Sequence, residues 1–351
     1  MKKIKIQNKF ISDGEPIFII AEAGVNHNGK LSLAKKLVDV AKDAGCDAVK
    51  FQTFKTEGVM TKYAQKADYQ KKITGGEETQ YEMAKKLELK YKDFIELKKY
   101  CDEKEIMFLS APHSEDAIDF LENLVPAYKF GSGDLTNIPA LEYAAKKGKP
   151  MIIGTGMGTM DEIKEALNAI YNQGNKDVVL LHCTTNYPCP LKEVNLRAMQ
   201  KMQKELDCLV GYSDHTEGII VPIMAVAMGA CVIEKHFTLD KNLSGPDHKA
   251  SLEPDELKEM VNAIRDAENA MGNKIKEPTK AEKEIMEVVR KSIVANADIE
   301  MGSTITGDML AIKRPGIGLK PKYFKEIIGK KAKVDIKRDD LIKFEYLSEY
   351  E

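Results

Sequence analysis

The chain has 351 residues, a formal net charge of −2, 43% hydrophobic and 7% aromatic residues, and six cysteines. That length exceeds one ordinary domain and can bury a sizeable core, while the near-neutral charge excludes bulk attraction to nucleic acid or to an anionic membrane. No run approaches the roughly 20 apolar residues of a membrane span, and the basic start MKKIKIQNKF lacks the apolar centre of a signal peptide. The cysteines are scattered with no CxxC pair and lie mostly in apolar runs, so they are expected to be reduced thiols in a cytoplasmic protein.

In chain order, short apolar runs alternate with segments of helical periodicity. Strands are predicted at 17–23, 48–54, 106–111, 127–131, 151–155, 178–184, 209–213 and 232–238. Helices are predicted at 31–44, 92–103 and 114–123, and then from Pro139, Met160, Asn195, Gly218 and Pro254. Eight strand–helix units with strands apolar on both faces predict a (β/α)8 TIM barrel over 1–273. The rival, an open doubly wound sheet, usually carries a GxGxxG turn after an early strand, and the first turn here is AEAGVNHNG. Two long connections, 55–90 and 239–253, are expected to form lids or substrate contacts. The charged stretch 274–291, without apolar periodicity at its start, reads as a linker. Residues 292–351 read as a small, turn-rich second domain.

In such a barrel, chemistry collects at the C-terminal ends of the strands. Those ends carry Glu22, Lys50, Gln52, Ser110, Lys129, Ser132, Thr155, His182, Thr184, Ser213, His215, Glu234 and His236. Lys50 and Lys129 lie inside apolar strands and need anionic partners. A structural salt bridge to Glu22 or Glu234 would satisfy them, as would a bound phosphate or carboxylate contacted also by Ser132 and Ser213. His215 and His236 end separate strands. Each is either a hydrogen-bonded strand-end histidine or one of two metal ligands. Cys183 lies near this site without a motif that would activate it. His27 and Asn28 either contact substrate or shape the first turn.

The segments AEAGVNHNG, VKFQTF, KFGSGDLTNIP, GTGM, HCTTNYPCP, GYSDHT, EKHFTLDKNLSGPDHKASLEPDEL and KRPGIG follow one another along nearly the whole chain. In this order they resemble the sialic acid synthase family, which joins phosphoenolpyruvate to an N-acyl mannosamine-type sugar. The C-terminal part resembles that family's antifreeze-like (SAF) domain. The resemblance implies a divalent metal, Mn2+ or Mg2+, on His215 and His236, and catalytic roles for Glu22, Lys50, Lys129 and Asp247. It implies phosphoenolpyruvate contacts from Lys50, Lys129, Ser132 and Ser213, and sugar contacts from Tyr187 and Asp247. Gln52, Thr155 and Thr185 complete the substrate-binding set. Arg314 would be donated by the SAF domain of a partner subunit in a domain-swapped homodimer.

The chain departs from the family pattern at Gly154, where a serine is common and Thr155 is expected to compensate, at Ile73, and at His113 of Ser110–Ala111–Pro112–His113. CTTNYP, GSGDLTNIP and the apolar Ile73 favour the N,N'-diacetyllegionaminic acid branch, with N-acetylneuraminate synthase as the near alternative. Two readings of other kinds are a metal-dependent aldolase or lyase on the same barrel, and a C-terminal binding module carried by an inert scaffold.

Overall fold

The computed structural model describes residues 2–348. It divides into two compact units, one reaching to Gly272 and the other starting at Asn273. The first opens with an antiparallel hairpin, β1 (Ile4–Ile6) and β2 (Lys9–Ile11), a segment for which the sequence pattern predicts no element. Eight strands follow: β3 (Phe18–Gly24), β4 (Ala48–Thr53), β5 (Met107–Pro112), β6 (Tyr128–Phe130), β7 (Met151–Gly154), β8 (Val178–His182), β9 (Leu209–Asp214) and β10 (Val232–His236). They form one sheet in the order β5-β4-β3-β10-β9-β8-β7-β6 with parallel pairing. Its two edges, β5 and β6, are consecutive in the chain and pack side by side, so the sheet curls into a nearly closed barrel. Sequence neighbours are sheet neighbours all round, which is the predicted (β/α)8 order and not that of a doubly wound sheet.

Successive side chains on a strand point to opposite faces, and both faces are buried here. Ile20, Ala48, Leu109, Val179 and Val232 share one apolar cluster with Ile4, Ile6 and Ile11, so the hairpin contributes to the core inside the barrel. The intervening residues, among them Ile19, Val49 and Ile233, pack against the helix layer through residues such as Leu37, Leu97 and Leu257. The helices carry apolar residues at spacings of three and four; the one over Leu31–Asp43 buries Ala34, Leu37, Val38 and Ala41. Two positions past Ile20 and Ala48 on the inward face stand Glu22 and Lys50. The barrel interior therefore turns from apolar to charged at the C-terminal ends of its strands.

The long connection after β4 is not a bare loop. It holds three short helices, Thr56–Val59, Asp68–Thr74 and Gln80–Leu87. Lys66, 3% exposed, ties them together by donating to the Thr74 hydroxyl (2.9 Å), the Gly75 carbonyl (3.1 Å) and the Glu78 carboxylate (3.0 Å).

The second unit pairs β11 (Ser292–Ala295) with β12 (Leu310–Lys313) around its own core, which includes Ile293, Ile305, Ile336 and Ile342. The stretch 274–291, read as a linker, contains a helix over Lys280–Val289. Thr279 caps it by accepting from the Glu282 N–H. The capping box T-K-A-E marks that start, but the apolar residues Ile285, Val288 and Val289 come after the charged run, and all three are exposed. Among the described residues no helix is long and apolar enough to cross a membrane, and the six cysteines are free.

Candidate active site

The strand register assembles the site. Glu22 on β3 is paired with Lys50 on β4 and with His236 on β10, while Glu234 on β10 is paired with Ser213 on β9. Lys50 Nζ lies 2.7 Å from Glu22 and 3.6 Å from Glu234, and Lys129 Nζ lies 3.2 Å from Glu234. Ser213 donates to Glu234 at 2.9 Å, and Gln52 donates to Glu22 at 3.0 Å. Both lysines thus have the carboxylate partners named in one of the two readings of the sequence, the structural salt bridge. The same pairing holds two ammonium groups at the buried barrel mouth, where an anionic ligand would meet them.

Burial acts first on each of these groups, and the neighbours then decide. Burial, with Glu234 adding to it, raises the Glu22 carboxyl above the usual carboxylate range. Glu234 is also opposed by burial, but Lys129, Lys50 and the Ser213 hydroxyl outweigh it and bring that carboxyl down to about 2. Burial lowers Lys129, whereas Glu22 and Glu234 overcome burial to raise Lys50. The mouth therefore holds a fixed anion, Glu234, and a carboxyl suited to carrying a proton, Glu22.

Glu234 is the central member, and neither the residue pattern nor the family resemblance assigns it a catalytic or binding role. Its one signal in the sequence is a carboxylate inside an apolar strand. A bulge at Glu22/Gly24 shapes the rim. Gly24 has φ +51, and a Cβ on it would lie 3.2 Å from both the Gln52 amide and the Glu22 carboxylate.

Next to this cluster stand the two histidines, their ring centroids 5.5 Å apart. His215 Nδ1 bonds the Thr184 carbonyl at 2.7 Å, which assigns the proton to Nδ1 and leaves the lone pair on Nε2. His236 Nδ1 is buried with no hydrogen-bond partner. Burial holds both imidazoles neutral, with His215 at about 4 and His236 well below the usual histidine range. Among the described residues no group of three or more His, Cys, Asp or Glu side chains forms a metal cage. Two neutral imidazoles, one carrying an orphaned nitrogen, fit a divalent ion whose remaining positions are open to water and substrate. The Tyr187 ring covers the pair, 4.1 Å from His215 and 5.5 Å from His236 between centroids.

A second niche lies beside Lys129. Ser132 Oγ accepts the Gly156 N–H at 3.0 Å and sits 3.0 Å from Cys183 Sγ, and Thr185 Oγ1 is buried without a partner. A Cβ at Gly156 would lie 2.3 Å from Thr185 Oγ1 and 2.9 Å from Ser132 Oγ, so only glycine leaves this niche open. Burial raises the Cys183 thiol, which keeps it protonated and a poor nucleophile.

Thr155, expected to compensate for the missing serine at 154, donates its hydroxyl to the Leu181 carbonyl at 2.9 Å. A side chain at position 154 would also press on Ser132, because a Cβ on Gly154 would lie 3.0 Å from the Ser132 Oγ. His182 is structural as well, bonding the Val194 carbonyl at 2.9 Å, as is His248, held by Thr238 (2.6 Å) and Asn28 (3.2 Å). His27 Nδ1 accepts the Gly29 N–H and so shapes its turn.

From His236 outward runs a cavity of about 230 Å³. Gln52, Tyr187, His113 and Asp247 supply its polar wall, joined by Gln70 and Gln80 from the helices after β4; Phe54, Met60 and Met83 supply apolar surface. Both long connections thus line it, through Gln70 and Met83 on one side and Pro246 and Asp247 on the other. Ile73 is half-buried on the helix that sends Gln70 into the cavity, and His113 lies 3.6 Å from the Asp134 carboxylate. Asp247 is buried, and burial with the Glu22 charge pushes its carboxyl up to about 7. Arg314 lies in the second unit, exposed, just after β12.

A (β/α)8 barrel with two lysines, two carboxyls and two neutral imidazoles gathered at its mouth is arranged as a barrel enzyme. The chain belongs to the NeuB family, which it matches over residues 37–276, and residues 290–347 match the SAF domain. It is 49% identical over 328 residues to the N,N'-diacetyllegionaminic acid synthase of Campylobacter jejuni, covering 93% of this chain and 98% of that one. The enzyme of the same name from Legionella pneumophila is 46% identical over 335 residues, 94% of each chain. Among solved structures, the N-acetylneuraminic acid (sialic acid) synthetase of Leptospira borgpetersenii superposes with a TM-score of 0.72 at 34% identity, covering 82% of this chain and 95% of that one.

Proposed function

We propose that this protein condenses phosphoenolpyruvate with 2,4-diacetamido-2,4,6-trideoxymannose to give N,N'-diacetyllegionaminic acid and inorganic phosphate. The observation that carries the reading is the meeting, on one barrel rim, of Lys50 and Lys129 with the His215–His236 pair. Identity of 46–49% to two legionaminic acid synthases supports the choice of sugar.

In this reading Lys129, Ser132, Thr185 and the niche at Gly156 hold the phosphate, while Lys50 and Ser213 hold the carboxylate. Fixing the enol ester against the acceptor supplies much of the rate, because C3 is a weak carbon nucleophile. C3 attacks the open-chain aldehyde carbon, Glu22 delivers a proton to the aldehyde oxygen, water adds at C2, and phosphate leaves by C–O cleavage. Gln52 orients Glu22, and Tyr187 and Asp247 bind the sugar. His215 and His236 would hold Mn2+ or Mg2+, which supplies Lewis-acid polarisation of the carbonyl when bound. The half-apolar wall of Phe54, Met60 and Met83 suits a 6-deoxy sugar bearing acetamido groups. The free thiols suit a reducing cytoplasm.

Incubation with phosphoenolpyruvate, Mn2+ and each acceptor sugar tests this. Phosphate release with a higher kcat/KM for the diacetamido sugar than for N-acetylmannosamine is expected. The reverse ratio points to N-acetylneuraminate synthesis, and no phosphate release with either sugar points to an aldolase or lyase. Gly156→Ala should raise the KM for phosphoenolpyruvate about 10–100-fold and leave the sugar KM nearly unchanged, because overpacking by one methyl costs about 1–3 kcal/mol. Arg314 would reach the sugar from a partner subunit's SAF domain. Arg314→Ala should then lower activity by at least about tenfold, and mixing it with an inactive barrel variant such as Lys129→Ala should restore part of it in mixed dimers.

A further inference from the structure

Asp214 and Lys235 precede the two histidines, and they are cross-strand partners at the ends of β9 and β10. They are 1% and 0% exposed, and Thr216, on the other side of His215, is 0% exposed. Strand alternation directs them away from the mouth, into the layer where Tyr212, Ile233 and Phe237 pack against helices. The Asp214 carboxylate accepts four bonds there: from the Tyr212 hydroxyl (3.0 Å), the Thr216 N–H (3.1 Å), the Thr216 hydroxyl (2.9 Å) and Lys235 Nζ (2.5 Å). Lys235 also donates to the Thr216 carbonyl.

A buried ion pair gives little net stability compared with apolar residues of the same volume, and an apolar pair would suit this helix-facing layer. What the pair does provide is geometry. His215 is bracketed by two clamped residues, its carbonyl accepts the Cys189 N–H at 2.7 Å, and its ring is fixed by Thr184. His236, whose Nδ1 has no partner, takes its place from the strand end that Lys235 ties to β9.

We infer that Asp214, Thr216 and Lys235 form a positioning network that holds the two imidazoles at the separation and orientation a shared divalent cation requires. This rests on the metal-dependent reading proposed above. The residues touch neither substrate nor reacting atoms; they act through the histidines.

Mn2+ titration of the full-length protein by calorimetry tests the network, using the double variant Asp214→Asn/Lys235→Met, which removes both charges together. The double variant is expected to keep a cooperative melt and to bind Mn2+ about 10–100-fold more weakly. Thr216→Val, which deletes one hydroxyl, should weaken Mn2+ severalfold, and Thr216→Ser should restore it. If the double variant does not fold, the Thr216 pair carries the test alone. Variants that bind Mn2+ as tightly as the parent, whatever their melting temperature, would overturn the network. A parent protein that binds no Mn2+ would remove the metal reading itself, and the network's role with it.

Discussion

His236→Ala is expected to abolish measurable Mn2+ binding and to lower turnover by at least about 1,000-fold, the equivalent of roughly 4 kcal/mol of lost transition-state stabilisation. Two imidazoles face each other at the mouth, and among the described residues no third His, Cys, Asp or Glu joins them to make a cage. Removing either leaves a single protein ligand. The fold should survive, because His236 Nδ1 makes no hydrogen bond that would be lost and the ring borders a cavity. A melting temperature within a few degrees of the parent, beside the loss of metal binding, is the expected pair of results. Full turnover in the variant would remove the metal from the mechanism. His215→Ala should cost somewhat more stability, since it also leaves the Thr184 carbonyl without its partner.

Asp247→Asn is expected to make the metal-free protein more stable while lowering kcat/KM for the sugar by about 100-fold. Burial and Glu22 raise the Asp247 carboxyl from its ordinary 3.8 to about 7. A carboxyl whose folded pKa exceeds its unfolded value holds its proton more tightly in the folded state. Its ionisation therefore costs stability progressively as pH rises from about 4 to about 7, and the penalty is constant above that. Asparagine mimics the protonated form and escapes the penalty. The variant's advantage should be near zero at pH 4, grow through the window, and level off above pH 7 on the order of 2–4 kcal/mol. Thermal melts of both proteins across that range measure it directly. An advantage that is flat with pH would show that Asp247 titrates normally. The paired activity loss would mark a side chain retained for chemistry at a cost in stability.

The main outline is legible in the sequence because it depends on local periodicity. Runs such as FIIAEAG and AVKFQT are short, apolar and punctuated, and they recur at the spacing of strand–helix units. Lys50 and Lys129 stand out because a charge inside such a run must have a partner. The helices after β4 are less visible. Their apolar residues, Met83, Ala84 and Leu87, make only one short face, and their arrangement depends on Lys66 reaching Thr74, Gly75 and Glu78. The helix over 280–289 escapes the periodicity because its apolar residues follow a charged run that has the texture of a linker.

By itself, then, the sequence determined the barrel and the residue types at its rim, since alternation and strand ends are written in one stretch of chain at a time. Only the tertiary structure decided how those residues are used. Glu234 became the shared partner of two lysines, Thr155 turned its proton to Leu181, and Asp214 and Lys235 met behind the histidines. The physical reason is that a side chain's charge state and hydrogen-bond partner depend on neighbours brought by other strands, and strand register is a property of the whole closed sheet.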